Sequence, residues 1–253
     1  MDLIPQLQRA ILAHSLPPPS QSFLTTLTTA RSPPPPIPSL LATAKARLLA
    51  SDLTNTSNSA IIDPSAPVLP ANIDAATVKE TKLAQNTHVQ VVDIENLSLS
   101  RWEQVEELEA IERGERTRGR QVIRVVAPED GDNEADASSS STAQQTQASR
   151  PAAAPAAIAT GGANAVHRLV LQDRQGKRVF AVELRRINGI GIGKTHIGEK
   201  MLLKAGAVVA RGTVLLTPET CTLLGGKIDA WHETWMEGRL ARLKESVGAD
   251  RPR

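Results

Sequence analysis

The sequence predicts a mainly β protein with flanking helices: a small five-stranded barrel, preceded by a short helical segment and interrupted by a long disordered insertion. Three observations predict it. Short β-branched runs separated by Gly and Pro crowd into residues 166–227. Apolar residues at helical spacing, parted by proline clusters, fill the first 80. A Ser/Ala/Gln-rich stretch at 127–163 breaks the composition in between. The expected division is 1–80, an N-terminal helical segment with Pro-rich linkers, and 81–247, the barrel domain with insertion 127–163 and a C-terminal helix over 228–245.

Leu3, Leu7 and Ile11 recur at a helical period, so residues 3–14 read as a helix ended by Pro17-Pro18-Pro19. Residues 22–30, rich in Thr and Leu, are ambiguous. Pro33–Pro36 with Pro38 predict a stiff extended spacer, and Ser39 is the expected N-cap of a helix through Ala50. Residues 51–72 read as loop. Val89 to Leu97 is a strand, and Ser100 with Glu103 predicts a capping box opening a helix whose Trp102, Val105, Leu108 and Ile111 share a flank. Gly114 and Gly119 bracket its end, and Gln121 to Val126 reads as extended.

The insertion has too little apolar surface to offset the entropy of ordering it. Beyond it, Val166–Gln172 and Lys177–Ile187 read as a hairpin about Asp173–Gly176, with Phe180, Val182 and Leu184 expected to face the core. Met201–Lys204, Ala207–Leu216 and Cys221–Leu224 are further strands, and Ile228, Trp231, Trp235, Leu240 and Leu243 mark a terminal helix. About five short strands with Gly turns suit a Greek-key barrel of the oligonucleotide/oligosaccharide-binding (OB) type.

No apolar run approaches the roughly 18–20 residues of a membrane span. A secretory leader is not expected from Met1-Asp2-Leu3-Ile4-Pro5. The one cysteine, Cys221, excludes an internal disulfide framework and a thiolate zinc cluster, and reads as a buried inert thiol. The net charge of +2 conceals a contrast: 166–227 carries eleven basic against four acidic residues, while 128–163 carries only Arg150 against five acids.

The run Asn188-Gly189-Ile190-Gly191-Ile192-Gly193-Lys194-Thr195 ends like a phosphate-binding loop. Asn188 replaces the first glycine of that motif, and strand-like sequence follows where a helix is required, so the expectation is a barrel loop. The histidines, His14, His88, His167, His196 and His232, lack metal-ligand spacing, and no catalytic residue, metal or cofactor is expected. Arg185-Arg186 with Lys177, Arg178, Lys194, Lys200, Lys204 and Arg211 could neutralise a phosphate backbone. Of these, Lys177, Arg178, Arg185, Arg186, Lys194 and Arg211 are the candidate DNA-contacting residues. With Phe180 turned inward no stacking platform remains, so DNA affinity should be weak and electrostatic, and a protein-interaction module is favoured.

Arg211-Gly212, the apolar run Thr213–Leu216, Pro218-Glu219-Thr220 and Leu224-Gly225-Gly226 together resemble the RecQ-mediated genome instability protein 1 family, with Thr220 where that family has Asn. Leu169–Asp173 with Gly176, Val89–Ile94 with Ser98 and Ser100, Arg116–Val126 and Leu48–Leu53 are similar to its other segments. The resemblance spans roughly residues 40–245 and implies a short, fungal-like form without a second OB domain. It implies a nuclear, non-catalytic scaffold that joins a type IA topoisomerase (topoisomerase III) and a RecQ-family helicase and promotes double Holliday junction dissolution. The insertion would contact the topoisomerase, making Pro128, Asp130, Asp132 and Arg150 the expected contact residues. The alternative is a direct single-strand or junction DNA-binding OB module; the third class is a nucleotide hydrolase using Lys194.

Overall fold

The computed structural model describes residues 3–55, 61–114 and 165–248. The insertion 127–163, the extended piece Gln121 to Val126, Gly119 and the insertion residues Pro128, Asp130, Asp132 and Arg150 lie outside the described residues.

Three helices open the chain: α1 (Leu3–Ala13), α2 (Gln21–Thr29) and α3 (Ile37–Ala50). The ambiguous Thr-rich segment is helical because Ser20 caps it, accepting the Phe23 amide at 3.2 Å, and Phe23, Leu24 and Leu27 are buried against the other helices. Ser39 is not a cap. Helix α3 starts at Ile37 after Pro36, whose carbonyl accepts the amides of Ser39 and Leu40, and Pro38 sits in the first turn, where a missing N–H costs nothing. The three helices close on Leu7, Ile11, Leu24, Leu40, Ala44 and Leu48.

The sheet comprises β1 (Thr81–Lys82), β2 (Thr87–Asn96), β3 (His167–Gln172), β4 (Arg178–Glu183), β5 (Lys200–Leu203), β6 (Val208–Ala210), β7 (Thr213–Leu216) and β8 (Cys221–Gly225). β2 pairs antiparallel with β3 and β5, β3 antiparallel with β4, β4 parallel with β7, and β5 antiparallel with β8. β7 and β8 are joined by a turn in which Thr220 and Cys221 donate to the Thr217 carbonyl at 3.1 and 3.0 Å. One bent strand therefore borders β4 at one end and β5 at the other, which curls the sheet into the five-stranded barrel. The six expected runs become eight segments because 207–216 is divided into β6 and β7 and because β1 adds a short strand beside β6.

The expected strand 207–216 is cut at Arg211-Gly212. Both residues have positive φ, and a Cβ on Gly212 would lie 2.5 Å from the Asp74 carbonyl oxygen. The core holds Val89, Val91, Leu169, Leu171, Ala181, Met201, Leu203 and Val214, and takes Leu69 and Ile73 from the preceding linker.

Helix α4 (Arg101–Glu112) starts with the full capping box of Ser100 and Glu103. Its expected apolar flank is only part buried: Val105 is inside, whereas Trp102 is exposed. The terminal helix is two, α5 (Asp229–Glu237) and α6 (Arg239–Val247), which meet at Gly238; a Cβ there would lie 2.7 Å from Arg242 Nη1. Among the described residues no helix is long and apolar enough to cross a membrane.

The helical unit seats on the outer side of β2, β5 and β8. Gln90 of β2 accepts the Leu53 amide at 3.0 Å and donates to Asp52 Oδ1 at 2.7 Å and Gln172 Oε1 at 3.2 Å. Leu224 enters the helical core, and the Leu49 carbonyl presses so close on Gly226 (φ +92) that a Cβ would lie 2.3 Å away. Gly226→Ala should therefore cost about 2–4 kcal/mol of stability. Gly206→Ala, at φ +88 but with open space around it, should cost about 1–2 kcal/mol. Urea midpoints of the two variants measure the difference.

His88 donates Nε2–H to the Ser15 carbonyl at 2.9 Å, and burial holds its imidazole below the usual range against the opposing pull of that bond. His232 accepts the Ile197 amide on Nδ1 at 3.2 Å and is lowered by burial first, then by His196 and Lys227. The unfolded chain thus binds more protons below about pH 6.5, so stability is full above that pH and falls as pH drops through the folded values. The denaturant midpoint should fall between about pH 7 and pH 5.5. A His88→Gln/His232→Gln double variant should flatten that slope.

Candidate functional site

Along β4 the inward residues are Val179, Ala181 and Glu183, and Phe180, Val182 and Leu184 face outward. This reverses the sequence expectation. Glu183 decides the phase: buried in the barrel wall, it accepts the His167 amide at 3.2 Å, His167 Nδ1–H at 2.8 Å, Arg186 Nη1 at 3.1 Å and the Ile187 amide at 3.1 Å. Four donors satisfy a carboxylate that would otherwise be costly inside. Small Ala181 then fills the interior, and Phe180 is left 48% exposed.

The outward residues form one continuous face. Arg168 of β3 stands opposite Val182 of β4 and Glu95 of β2. Two residues further along these ladders come Val166, Leu184 and Leu97, with the Leu97 amide donating to the Val166 carbonyl at 2.9 Å. Leu97, Val166, Phe180 and Leu184 are 47, 38, 48 and 62% exposed, which makes four of the six large exposed apolar side chains among the described residues. Half-buried Val170, Val182 and Leu215 fill the gaps. The guanidinium of Arg168 lies 5.0 Å from the Phe180 ring centroid and pairs with Glu95, which also takes Arg101 Nε at 3.1 Å. Trp102, exposed on the first turn of α4, follows Arg101 at the border. An apolar centre with arginine at its edge has the composition of a protein-docking surface.

The six predicted DNA-contacting residues do not form one patch. Lys177 and Arg178 begin β4 and Arg211 precedes β7, at one end of the parallel β4/β7 pair. Arg185 and Arg186 follow β4 at the other, and Lys194 belongs with them, because its side chain and His167 both border Gly191. Lys177 Nζ bonds Asp74 at 2.7 Å, Arg185 pairs with Glu219, and Arg186 is held by Glu183. Arg178, Lys194 and Arg211 are exposed and make no ion pair with a described residue. Lys200 is fully buried, so it is no surface cation. Its Nζ donates to the Gly198 carbonyl at 2.5 Å, and burial lowers it to about 8 against the pull of Asp52 and Glu199.

In the glycine loop, Thr195 Oγ1 accepts the Gly191 amide at 3.1 Å, and the chain passes through a turn into β5. The helix whose N-terminus would cradle phosphate is replaced by a strand. Burial raises the Cys221 thiol to about 12, which keeps it protonated at neutral pH. Among the described residues no three His, Cys, Asp or Glu side chains converge to hold a metal. Sequence reasoning missed Leu97, Val166, Arg168 and Leu184 as a surface. Only strand register brings them together, and the buried Glu183 flanked by His167 and Arg186 is the signal that sets it.

Two family models match the chain: RMI1, N-terminal helical domain, over residues 11–56, and RMI1, N-terminal OB-fold domain, over residues 69–239. The chain is also similar to RecQ-mediated genome instability protein 1 of Schizosaccharomyces pombe, 29% identical over 194 residues, covering 76% of this chain and 74% of that protein.

Phe180→Asp should cost only about 1 kcal/mol of stability, for the lost contact of its ring with Arg168. Glu183→Gln should cost about 3–5 kcal/mol, because it leaves Arg186 and His167 without their carboxylate. Urea denaturation of the two variants distinguishes an outward Phe180 from an inward one.

Proposed function

The chain belongs to the RMI1 family, whose name ties it to genome stability, and on that premise we propose that it is a non-catalytic scaffold of a RecQ helicase–topoisomerase III complex. In this reading it works in the nucleus, where the complex dissolves double Holliday junctions. The bare apolar face on β3 and β4 carries the proposal: Phe180, Leu184, Val166 and Leu97 offer a partner a pre-formed hydrophobic centre with Arg168 at its edge. Burying that face stabilises the complex at roughly 25 cal/mol per Å² of apolar area, less the cost of association. The topoisomerase is the partner assigned to it. Docking would shift its gate between open and closed states through contacts that differ between the two. The insertion bearing Asp130 and Asp132, which lies in the sequence between α4 and β3, would supply those contacts.

A Phe180→Asp/Leu184→Asp double variant should stay folded yet lose co-purification with topoisomerase III by at least about tenfold, since two exposed apolar anchors that docking would bury are removed. Retention at the parental level would overturn the assignment of the face. Deleting 127–163 should preserve co-purification and change decatenation by the assembled complex; unchanged decatenation would remove the gating role from the insertion.

A further inference from the structure

Helix α6 packs two arginines against α4 and the barrel. Arg239 is only 7% exposed, yet its guanidinium makes no ion pair with a described residue. Its one hydrogen bond runs from Nη2 to Gln104 Oε1 at 3.4 Å, longer than the usual N–H···O range. A guanidinium carries five donors, so most of those of Arg239 are unmet in a nearly closed place. Arg242 turns back over the same indole. The two guanidinium carbons lie 5.7 and 5.6 Å from the Trp235 ring centroid. Arg242 Nη2 donates to the Trp235 carbonyl at 2.7 Å, and Nη1 fills the space that a side chain on Gly238 would need. Burial lowers the Arg239 guanidinium, and Arg242 adds to that against the pull of Glu107 and Asp93.

These groups line a cleft of about 190 Å³ between β2, β3, α4 and α6. That is smaller than the roughly 300–1,000 Å³ of small-molecule sites and suits the tip of one side chain. Arg101, Arg168, Arg239 and Arg242 face it against Asp93 and Glu95, so four cations meet two carboxylates and two positive charges are in surplus. Neither carboxylate pairs with α6. Asp93 Oδ1 accepts the Trp235 indole N–H at 2.7 Å and the Ile94 amide at 2.9 Å, and Glu95 is shared by Arg101 and Arg168. Glu107 of α4 pulls on Arg239 without forming an ion pair with it.

We propose that this cleft takes a phosphomonoester, the phosphorylated serine or threonine of a partner polypeptide, with Arg239 and Arg242 bonding its oxygens beside the Trp235 ring. Charge decides the class of ligand. A phosphomonoester carries about −1.5 to −2 near neutral pH and matches the surplus of two, whereas an aspartate, a glutamate or a phosphodiester brings one charge. Paired guanidiniums also fit tetrahedral phosphate oxygens with two donors each. The source follows from position: Arg168 both lines the cleft and lies over Phe180, so a polypeptide seated on the bare β3/β4 face passes the opening. The choice of a partner rests on that docking reading; the choice of phosphate rests on the cleft alone.

The test titrates the full ¹⁵N-labelled chain with a short Gly/Ala peptide bearing one phosphoserine and follows the Trp235 indole N–H by NMR. That signal is the one that remains in both Trp102→Phe and Trp231→Phe. It should shift saturably, and the same peptide with glutamate in place of phosphoserine should bind at least about tenfold more weakly. Arg242→Gln should weaken phosphopeptide binding about tenfold or more, the loss of one charge-assisted bond. Gly238→Ala keeps every charge, and at φ −80 its backbone suits alanine, but its Cβ would lie 2.7 Å from Arg242 Nη1 and displaces that flexible tip. It should also weaken binding about tenfold. Arg178→Gln, an equal loss of charge at the start of β4, should leave binding unchanged. An unmoved Trp235 signal, parental affinity in both Arg242→Gln and Gly238→Ala, equal loss in Arg178→Gln, or equal competition by the glutamate peptide or by a dT12 oligonucleotide would overturn the proposal. No topoisomerase enters the titration, so the cleft and the docking face fail separately.

Discussion

Gln90 is the side chain on which the two parts of the molecule meet. Its carbonyl oxygen takes the Leu53 amide where α3 has just ended, and its nitrogen reaches Asp52 and Gln172. No apolar residue could replace it without leaving the Leu53 amide buried and unpaired. The same interface buries Lys200, which pairs in register with Gln90 and relies on one carbonyl and the distant pull of Asp52 and Glu199.

That seat divides the outer surface of the barrel. The side formed by β2, β5 and β8 is covered, with Leu224 sunk into the helical core and Gly226 flush against Leu49. The side formed by β3, β4 and β7 is bare, and there the large apolar residues stand out of the surface. A barrel wall has two faces, and alternation along each strand puts apolar residues on the outer one only where something covers them or where a partner will. Covering one half internally leaves the other half as the exposed sheet surface, with Arg168 over the Phe180 ring and sharing the Glu95 carboxylate with Arg101.

Buried carboxylates organise the rest. Glu183 ties β3, β4 and the start of the glycine loop together, and Asp173 ties the β3/β4 turn to the linker at Leu69. Each accepts three or more donors and replaces the water it lost on folding. These two residues also mark the limits of sequence reading. Asp173 was legible as turn chemistry, because Asp before Gly at this spacing is local. Glu183 was not, since in a run reading Val-Phe-Ala-Val-Glu-Leu the apolar triplet Phe180, Val182 and Leu184 is the more hydrophobic face. The competing arrangement becomes favourable only when His167 of β3 is brought alongside Glu183, beside the neighbouring Arg186. The break of the run 207–216 was missed for the same reason, because the distant Asp74 imposes the close contact at Gly212.

From the sequence alone came the mainly β class, the helical segment ahead of it, the capping box at Ser100, the Asp173–Gly176 turn, the strand-bound end of the glycine loop and the resemblance carried by Arg211-Gly212 and Leu224-Gly225-Gly226. Those are local properties, set by residues within a few positions of one another. The tertiary structure alone decided which way β4 faces, which half of the barrel stays bare, and that the basic residues part into two ends. Each of those depends on pairing between residues far apart in the chain, and a single-residue change of phase exchanges the inner face of a strand for its outer one.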